Sequence, residues 1–208
     1  MKVIFRQTQK ELFSAEFVAE INGVPYGHFT FQGALGSMNG TWKGIFSSKT
    51  FSMYAEDEKK HNWKDSYYRP YLFEIDATRR GCVFKTEHVK NWFSRYDYHK
   101  MTVNGLDYQL YPIGYGKDGY RSPVYQDNTQ IALVEKDAVV YNDLHTYAIT
   151  ATDEQNAFIS ILFCCYMYAI GCYVPGEKVS QSVVKNFNKS TNKDLLAKDD
   201  FSFSKANM

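Results

Sequence analysis

Ala157 to Val174 reads AFISILFCCYMYAIGCYV, eighteen consecutive residues without a charge in a chain whose other segments mix Tyr and Phe with Lys and Asp. Just ahead of it, Thr152-Asp153-Glu154-Gln155 matches a capping box, in which Thr152 accepts from the Gln155 N–H and Gln155 reaches back. Two carboxylates there suit the positive end of a helix. The pattern predicts a helix over about 153–173, ended by Gly171 and the Pro175-Gly176 pair. That is about 20 residues, or roughly 30 Å at 1.5 Å per residue. From Ala157 onward all its faces are apolar, relieved by Ser160, the tyrosine hydroxyls and the thiols. A helix of that kind must be enclosed on every side, by lipid or by protein.

The length alone permits a membrane span, and an integral protein with a soluble β domain anchored by residues 157–174 is one reading. The flanks argue against it. No Lys or Arg marks the N-terminal edge and only Lys178 lies near the other, whereas spans carry basic anchors and favour Tyr at the interfaces; here Tyr166 and Tyr168 fall mid-run. The alternative is a closed barrel wrapped around one central helix, which hides the whole circumference.

The preceding 150 residues have the texture such a barrel needs. SAEFVAEI (Ser14 to Ile21), Asn22-Gly23 and YGHFTF (Tyr26 to Phe31) read as a hairpin with a type I′ turn. The same logic recurs around Asn104-Gly105, Asp118-Gly119, Asp127-Asn128 and Lys136-Asp137. Strands every eight to twelve residues imply an antiparallel meander, closed or nearly so. Glu56 to Tyr68 reads as a loop, and Glu87 to His99 as a short helix or irregular crossover. The expected class is therefore mainly β: a closed antiparallel barrel enclosing a hydrophobic C-terminal helix, one domain over 1–187, followed by a polar, mobile tail over 188–208.

Composition bounds the rest. With 44% hydrophobic and 17% aromatic residues, the chain has ample material for one core and does not fit a disordered class. Twenty-four Lys and Arg against 23 Asp and Glu give no global drive toward nucleic acid or an anionic membrane, so an electrostatic partner must meet a local patch. The opening MKVIFRQTQKELF lacks the apolar middle of a signal peptide, which points to the cytoplasm. Cys82 stands alone, and Cys164, Cys165 and Cys172 fall in the apolar run without C-x-x-C or His at ligand spacing; they read as buried hydrophobes rather than a metal site.

The stretch PIGYGKDGYRSPVYQDNTQIALVEKDAVVYNDLHTYAITATDEQNAFISILFCCYMYAI, Pro112 to Ile170, resembles the tubby C-terminal-like superfamily. That group includes the phospholipid scramblases and the plant LURP-one-related proteins. The shared order is a strand entering a turn, a "vA-i-K" strand, a Tyr-led strand, an acidic helix start and the apolar helix. The resemblance implies a barrel around a C-terminal helix and work at a membrane surface. The chain departs from that pattern in lacking an Asp-rich calcium-loop segment and in having Gly171-Cys172 where an acidic residue is expected.

Few constellations carry chemistry. Gly114 to Gly119, GYGKDG, is literally G-x-G-x-x-G, but YRSPVY follows it where a dinucleotide site would open a helix, so a glycine-rich hairpin is expected. His145 lies near Asp143, and His88 six residues from Cys82; neither spacing makes a nucleophile, and no P-loop, H-E-x-x-H or G-x-S-x-G is present. The reading is non-enzymatic, with no cofactor and no metal. The best candidate surface is Lys59 to Lys100, with ten Lys or Arg against five Asp or Glu. Trp63, Tyr67, Tyr68, Tyr71, Trp92, Phe93, Tyr96 and Tyr98 interleave with those charges. Basic heads with interfacial aromatics suit an anionic phospholipid surface, with Lys59, Lys60, Lys64, Arg79 and Arg80 as the lipid-binding candidates. Stacking on single-stranded nucleic acid is a weaker alternative, and a protein-interaction or structural barrel whose charges are simply solvated is another.

Overall fold

A computed structural model describes residues 1–33, 40–56, 69–91, 93–136, 139–140, 144–171, 183–184 and 189–206. The strands are β1 (Lys2–Lys10), β2 (Ser14–Ile21), β3 (Val24–Gln32), β4 (Thr41–Phe46), β5 (Lys49–Ala55), β6 (Tyr71–Ile75), β7 (Arg79–Asn91), β8 (Ser94–Val103), β9 (Leu106–Leu110), β10 (Ile113–Gly114), β11 (Tyr120–Gln126), β12 (Thr129–Lys136), β13 (Val139–Val140), β14 (Thr146–Ala151) and β15 (Val183–Val184). Three helices follow β14 in whole or part: α1 (Glu154–Ala169), α2 (Lys193–Leu196) and α3 (Phe203–Ala206). Strands β1 to β9 form a meander, β1 pairs with β14, β14 with β12, β12 with β11, and β11 with β9, so twelve antiparallel strands close on themselves. Closure leaves no long unpaired edge in the wall. β10 adds only to β11, and β13 pairs with β15 apart from the barrel.

Turn chemistry sets the register. Asn22-Gly23 and Asn104-Gly105 have φ of 52° and 78°, and 49° and 80°, the doubly positive geometry of a type I′ turn that glycine and asparagine tolerate. Along each strand alternate side chains turn inward, as in β1, where Val3, Phe5 and Gln7 are buried between exposed or half-buried neighbours. One inward position of β4 holds Gly44, where a Cβ would lie 2.6 Å from the Phe51 ring and 2.7 Å from that of Phe29. Two rings occupy the volume that a third side chain would need.

The apolar helix lies within this wall. Ala157 to Ala169 are all buried, on every face of α1. Phe158 stacks on Phe46 of β4, Tyr166 meets Tyr71 of β6 and His99 of β8, and Tyr168 meets Phe17, Phe31 and Trp42 of β2, β3 and β4. Contacts around so much of the circumference place the helix along the barrel interior. Among the described residues no helix is long and apolar enough to cross a membrane. The polar atoms that the sequence scatters through the run find partners. Tyr166 accepts from the Lys85 N–H at 2.8 Å, and Ser160 donates to the Asn156 carbonyl at 2.8 Å. The buried Gln7 amide donates to the Tyr168 hydroxyl at 3.2 Å and accepts from the His145 N–H at 3.1 Å, linking β1, α1 and the approach to β14.

Three expectations need correction. The N-cap is Asp153, which accepts from the Asn156 N–H at 2.8 Å, one residue later than the capping-box match. The reciprocal bond of the box is closed off as well, because the Thr152 N–H continues the ladder to the Ile131 carbonyl, and Gln155 instead accepts from Lys49. The helix is accordingly 16 residues, ending at Ala169 with Gly171 at φ 70° beyond it. Glu87 to His99, expected as a helix or crossover, belongs to the β7–β8 hairpin, which pairs from Gly81↔Val103 to Asn91↔Ser94.

The two ends of the barrel differ. At the end where α1 begins, five connections are turns of two or three residues, at 22–23, 47–48, 76–78, 104–105 and 127–128. Tyr26 and Lys49 reach from this rim to Glu154 and Gln155. At the end where α1 finishes, β5 and β6 are joined by 56–70 and β12 and β14 by 137–145, and the β7–β8 hairpin turns there. The first is the closed end of the barrel and the second its open end. Residues 189–206 of the polar tail, expected from sequence to be mobile, lie in the structure against the outside of β8 to β12. Asp199 accepts from Arg121 at 2.7 Å and from the Tyr115 hydroxyl at 2.8 Å, and Lys198 sits 4.8 Å from the Tyr111 ring.

Candidate functional site at the open end

The β7–β8 hairpin carries the change from core to site. Its register places Val83 opposite Met101, then Lys85 opposite His99, Glu87 opposite Asp97 and Val89 opposite Arg95, all on the face that begins as barrel interior. The first pair is fully buried beside α1, and Lys85 and His99 still meet Tyr166 in its last turn; the later pairs lie further along the hairpin, where charge replaces apolar packing. Lys85 pairs with Asp97 at 2.8 Å and Arg95 with Glu87. The hydrogen bond from Arg95 holds the Glu87 carboxyl below its ordinary range and raises Arg95 in turn.

His99 sits at the transition. It is 1% exposed, its ring lies edge-on to Tyr166 with centroids 5.3 Å apart, and neither ring nitrogen has a hydrogen-bond partner among the described residues. Burial, and then the Lys85 charge, push its pKa down to about 3, so the imidazole is neutral at pH 7. Above it opens a cavity of 550 Å³. The β7–β8 hairpin forms one wall; Pro112 and Tyr120 form another, Met167 and Gly171 with His99 the floor, and residues 189–192 and Leu195 the cover. That cover is tied down by Asn192 donating to the Arg95 carbonyl at 3.1 Å and by Ser94 donating to Asp194 at 2.5 Å.

Beyond the cavity the hairpin tip reaches solvent. Phe93 is 92% exposed and Val89 60%, flanked by Lys90 and Arg95. At the same end the β1–β2 turn presents Leu12, 82% exposed, and Phe13. Apolar side chains at the apices of two turns on one end contrast with exposed Val24 and Leu106, which stand singly beside the tight turns of the closed end.

The sequence candidates are dispersed by this geometry. Lys59, Lys60 and Lys64, with Trp63, Tyr67 and Tyr68, lie outside the described residues, in the segment between β5 and β6, both of which meet the open end. Arg79 and Arg80 open β7 at the closed end, where Arg80 pairs with Glu74 at 3.3 Å, at the far end of the strand from the tip. Tyr71 is core, and Tyr96 and Tyr98 are half-buried beside the docked tail. Trp92 also lies outside the described residues; among those described, Phe93 alone of the named aromatics projects freely. His99, Lys85 and Lys189 were not singled out, although the charged alternation of 85, 87, 95 and 97 on one strand face was there to be read.

Other candidates fall away on their surroundings. Gly114 ends β10 and residues 115–119 form the loop to β11, with a short 3-10 turn at Gly116–Asp118 and no helix following to receive a phosphate. Burial pushes the Cys82, Cys164 and Cys165 thiols up, the opposite of what a thiolate nucleophile requires. Among the described residues no group of His, Cys, Asp and Glu could hold a metal ion. No family model, curated protein or solved structure matches the chain, so the site is characterised by its own geometry.

Proposed function

We propose that the protein is a non-enzymatic binding barrel that associates peripherally with an anionic phospholipid surface through its open end, as the tubby-like resemblance implies. The observation that carries this reading is Phe93, almost fully exposed at the tip of the longest hairpin and flanked by Lys90 and Arg95. An aromatic side chain at a hairpin tip can enter the interfacial layer while flanking cations meet phosphate head groups. Each Lys or Arg near a charged leaflet adds about 1 kcal/mol; Lys59, Lys60 and Lys64, outside the described residues, keep their place in this reading as sequence candidates. Arg79 and Arg80, at the other end, contribute least to this reading.

Sedimentation with vesicles tests it. The protein should pellet with phosphatidylserine-containing vesicles and not with phosphatidylcholine alone, and salt should release it, because screening at 0.15 M acts beyond about 8 Å. Phe93→Ser and the triple change of Lys59, Lys60 and Lys64 to Gln should each weaken binding, whereas Arg80→Gln should not. A wild type that ignores anionic vesicles at low salt refutes the reading and leaves a barrel whose partner is a protein.

A further inference from the structure

We propose that the cavity above the end of α1 is a binding site for a phosphate monoester dianion, contacted by Lys85, Lys189 and His99. Charge makes the first selection. The ionised side chains at the cavity are Lys85, Arg95 and Lys189 against Asp97 and the Glu87 carboxylate that Arg95 holds, an excess of one positive charge, carried by Lys189, that favours an anion. Lys85 and Arg95 already hold carboxylates, while Lys189 has no ion-pair partner among the described residues and stands at the rim. A phosphate monoester carries close to two negative charges at neutral pH and three strong acceptor oxygens, which lysine heads and an imidazole N–H can share.

His99 makes the second selection. A buried neutral imidazole offers one donor and one acceptor, and buried polar groups are almost always satisfied, so a fully buried ring with two unmatched nitrogens at a cavity floor points to a group that enters from the cavity. Size makes the third. The 550 Å³ volume lies in the range of small-molecule sites and exceeds what bare phosphate fills, and Pro112, Tyr120 and Met167 give an apolar wall for the organic part of an ester. The same phosphomonoester chemistry occurs free in solution and at the head of phosphatidic acid. The site does not depend on the membrane reading, since its residues are separate from Phe93 and Lys90.

The test uses the full chain labelled with ¹⁵N and follows the histidine side-chain resonances by NMR while glycerol 3-phosphate, inorganic phosphate or succinate is added. Glycerol 3-phosphate should shift the His99 resonances saturably and bind more tightly than inorganic phosphate. Lys189→Gln should weaken it about tenfold and Lys189→Arg should restore it; both changes lie on the surface and leave the barrel intact. His99→Gln, checked for folding by circular dichroism, should abolish saturable binding. No His99 response to millimolar glycerol 3-phosphate overturns the proposal, as does equal binding of succinate. Vesicles containing phosphatidic acid separate the two sources. Competition between them and glycerol 3-phosphate, retained in Phe93→Ser, identifies the headgroup; binding of the soluble ester without competition identifies a free metabolite class. Loss of vesicle pelleting in Phe93→Ser with soluble binding unchanged would affect only the membrane reading.

Discussion

Replacing Phe158 by Ala tests whether α1 is the core of the barrel. The side chain is fully buried; its ring stacks on Phe46 at 5.6 Å, meets Phe51 edge-on at 6.0 Å and has the Lys49 ammonium 5.7 Å from its centre. Truncating a buried Phe to Ala costs about 3–5 kcal/mol, the spread reflecting how far the site can collapse. Here collapse is restricted, because the surrounding strands are hydrogen-bonded into a closed ring and cannot move inward singly. Each lost aromatic pair adds about 0.5–1.5 kcal/mol beyond area, which puts the expectation at the upper end, about 4–5 kcal/mol. That is a large part of the 5–15 kcal/mol typical of a native domain. Urea unfolding followed by near-UV circular dichroism measures the loss as a drop in midpoint at unchanged slope. The control is the same change at exposed Phe93, where surface truncation stays within about 0.5 kcal/mol. If Phe158→Ala costs less than about 1.5 kcal/mol, or if the two variants are equally stable, the helix is not packed as described. Phe163→Asp sharpens the test. A carboxylate at that buried, apolar position has no partner, so soluble, folded, monomeric protein carrying it would contradict the enclosed helix.

Asp153→Ala should destabilise by about 1 kcal/mol through loss of the cap, and Thr152→Val by less, as thermal melts would show; the reverse order would restore the capping box. His99 makes stability fall with acid. Its folded pKa of about 3 lies below the ordinary 6.5, so the unfolded chain binds the extra proton between those values; stability is complete above about pH 6.5 and declines by up to about 1.4 kcal/mol per unit toward pH 3. A His99→Phe variant that keeps the wild-type slope over that window would exclude this residue as the cause. Arg121→Met leaves the buried Asp199 carboxylate without its cation and should free residues 189–206 for tryptic cleavage at Lys193 and Lys198 while the barrel resists. Unchanged protection would show that the tail is held by its apolar contacts.

What the sequence disclosed divides along the barrel axis. Where strands line the core, inward positions are apolar and turn residues have positive φ, so the hairpins at Asn22-Gly23 and Asn104-Gly105 and the enclosed helix were legible. The Asp76-Ala77 turn was not, because alanine carries no preference for the left-handed conformation it adopts there, φ 55°. At the end of α1 the rule that marks a strand fails. Lys85, Glu87, Arg95 and Asp97 face inward over a cavity rather than a core, so the period-two signal inverts and the hairpin read as a crossover. The capping box failed for a different reason: a local motif met a nonlocal bond, and the ladder partner Ile131 claimed Thr152 first. The candidate site shares this difficulty, since Lys189 and His99 are 90 positions apart and only the docked tail brings them to one cavity.

The position of α1 after the last barrel strand has a consequence for synthesis. A ribosome delivers all twelve strands before the helix that fills them, so through residue 151 the inner rings of Phe5, Phe17, Phe29, Trp42, Phe51 and Phe73 have no axial partner to pack against. The β1–β14 pairing likewise waits for nearly 150 residues. A nascent chain in that state is a twisted sheet with one greasy face and two unpaired edges, the kind of species that chaperones retain and that aggregates without them. Folding is therefore expected to be late, slow and concerted, with arrival of the helix as the committing event. A chain stopped at residue 151 should be recovered only in inclusion bodies, and the same chain supplied with residues 152–206 on a second polypeptide should regain solubility.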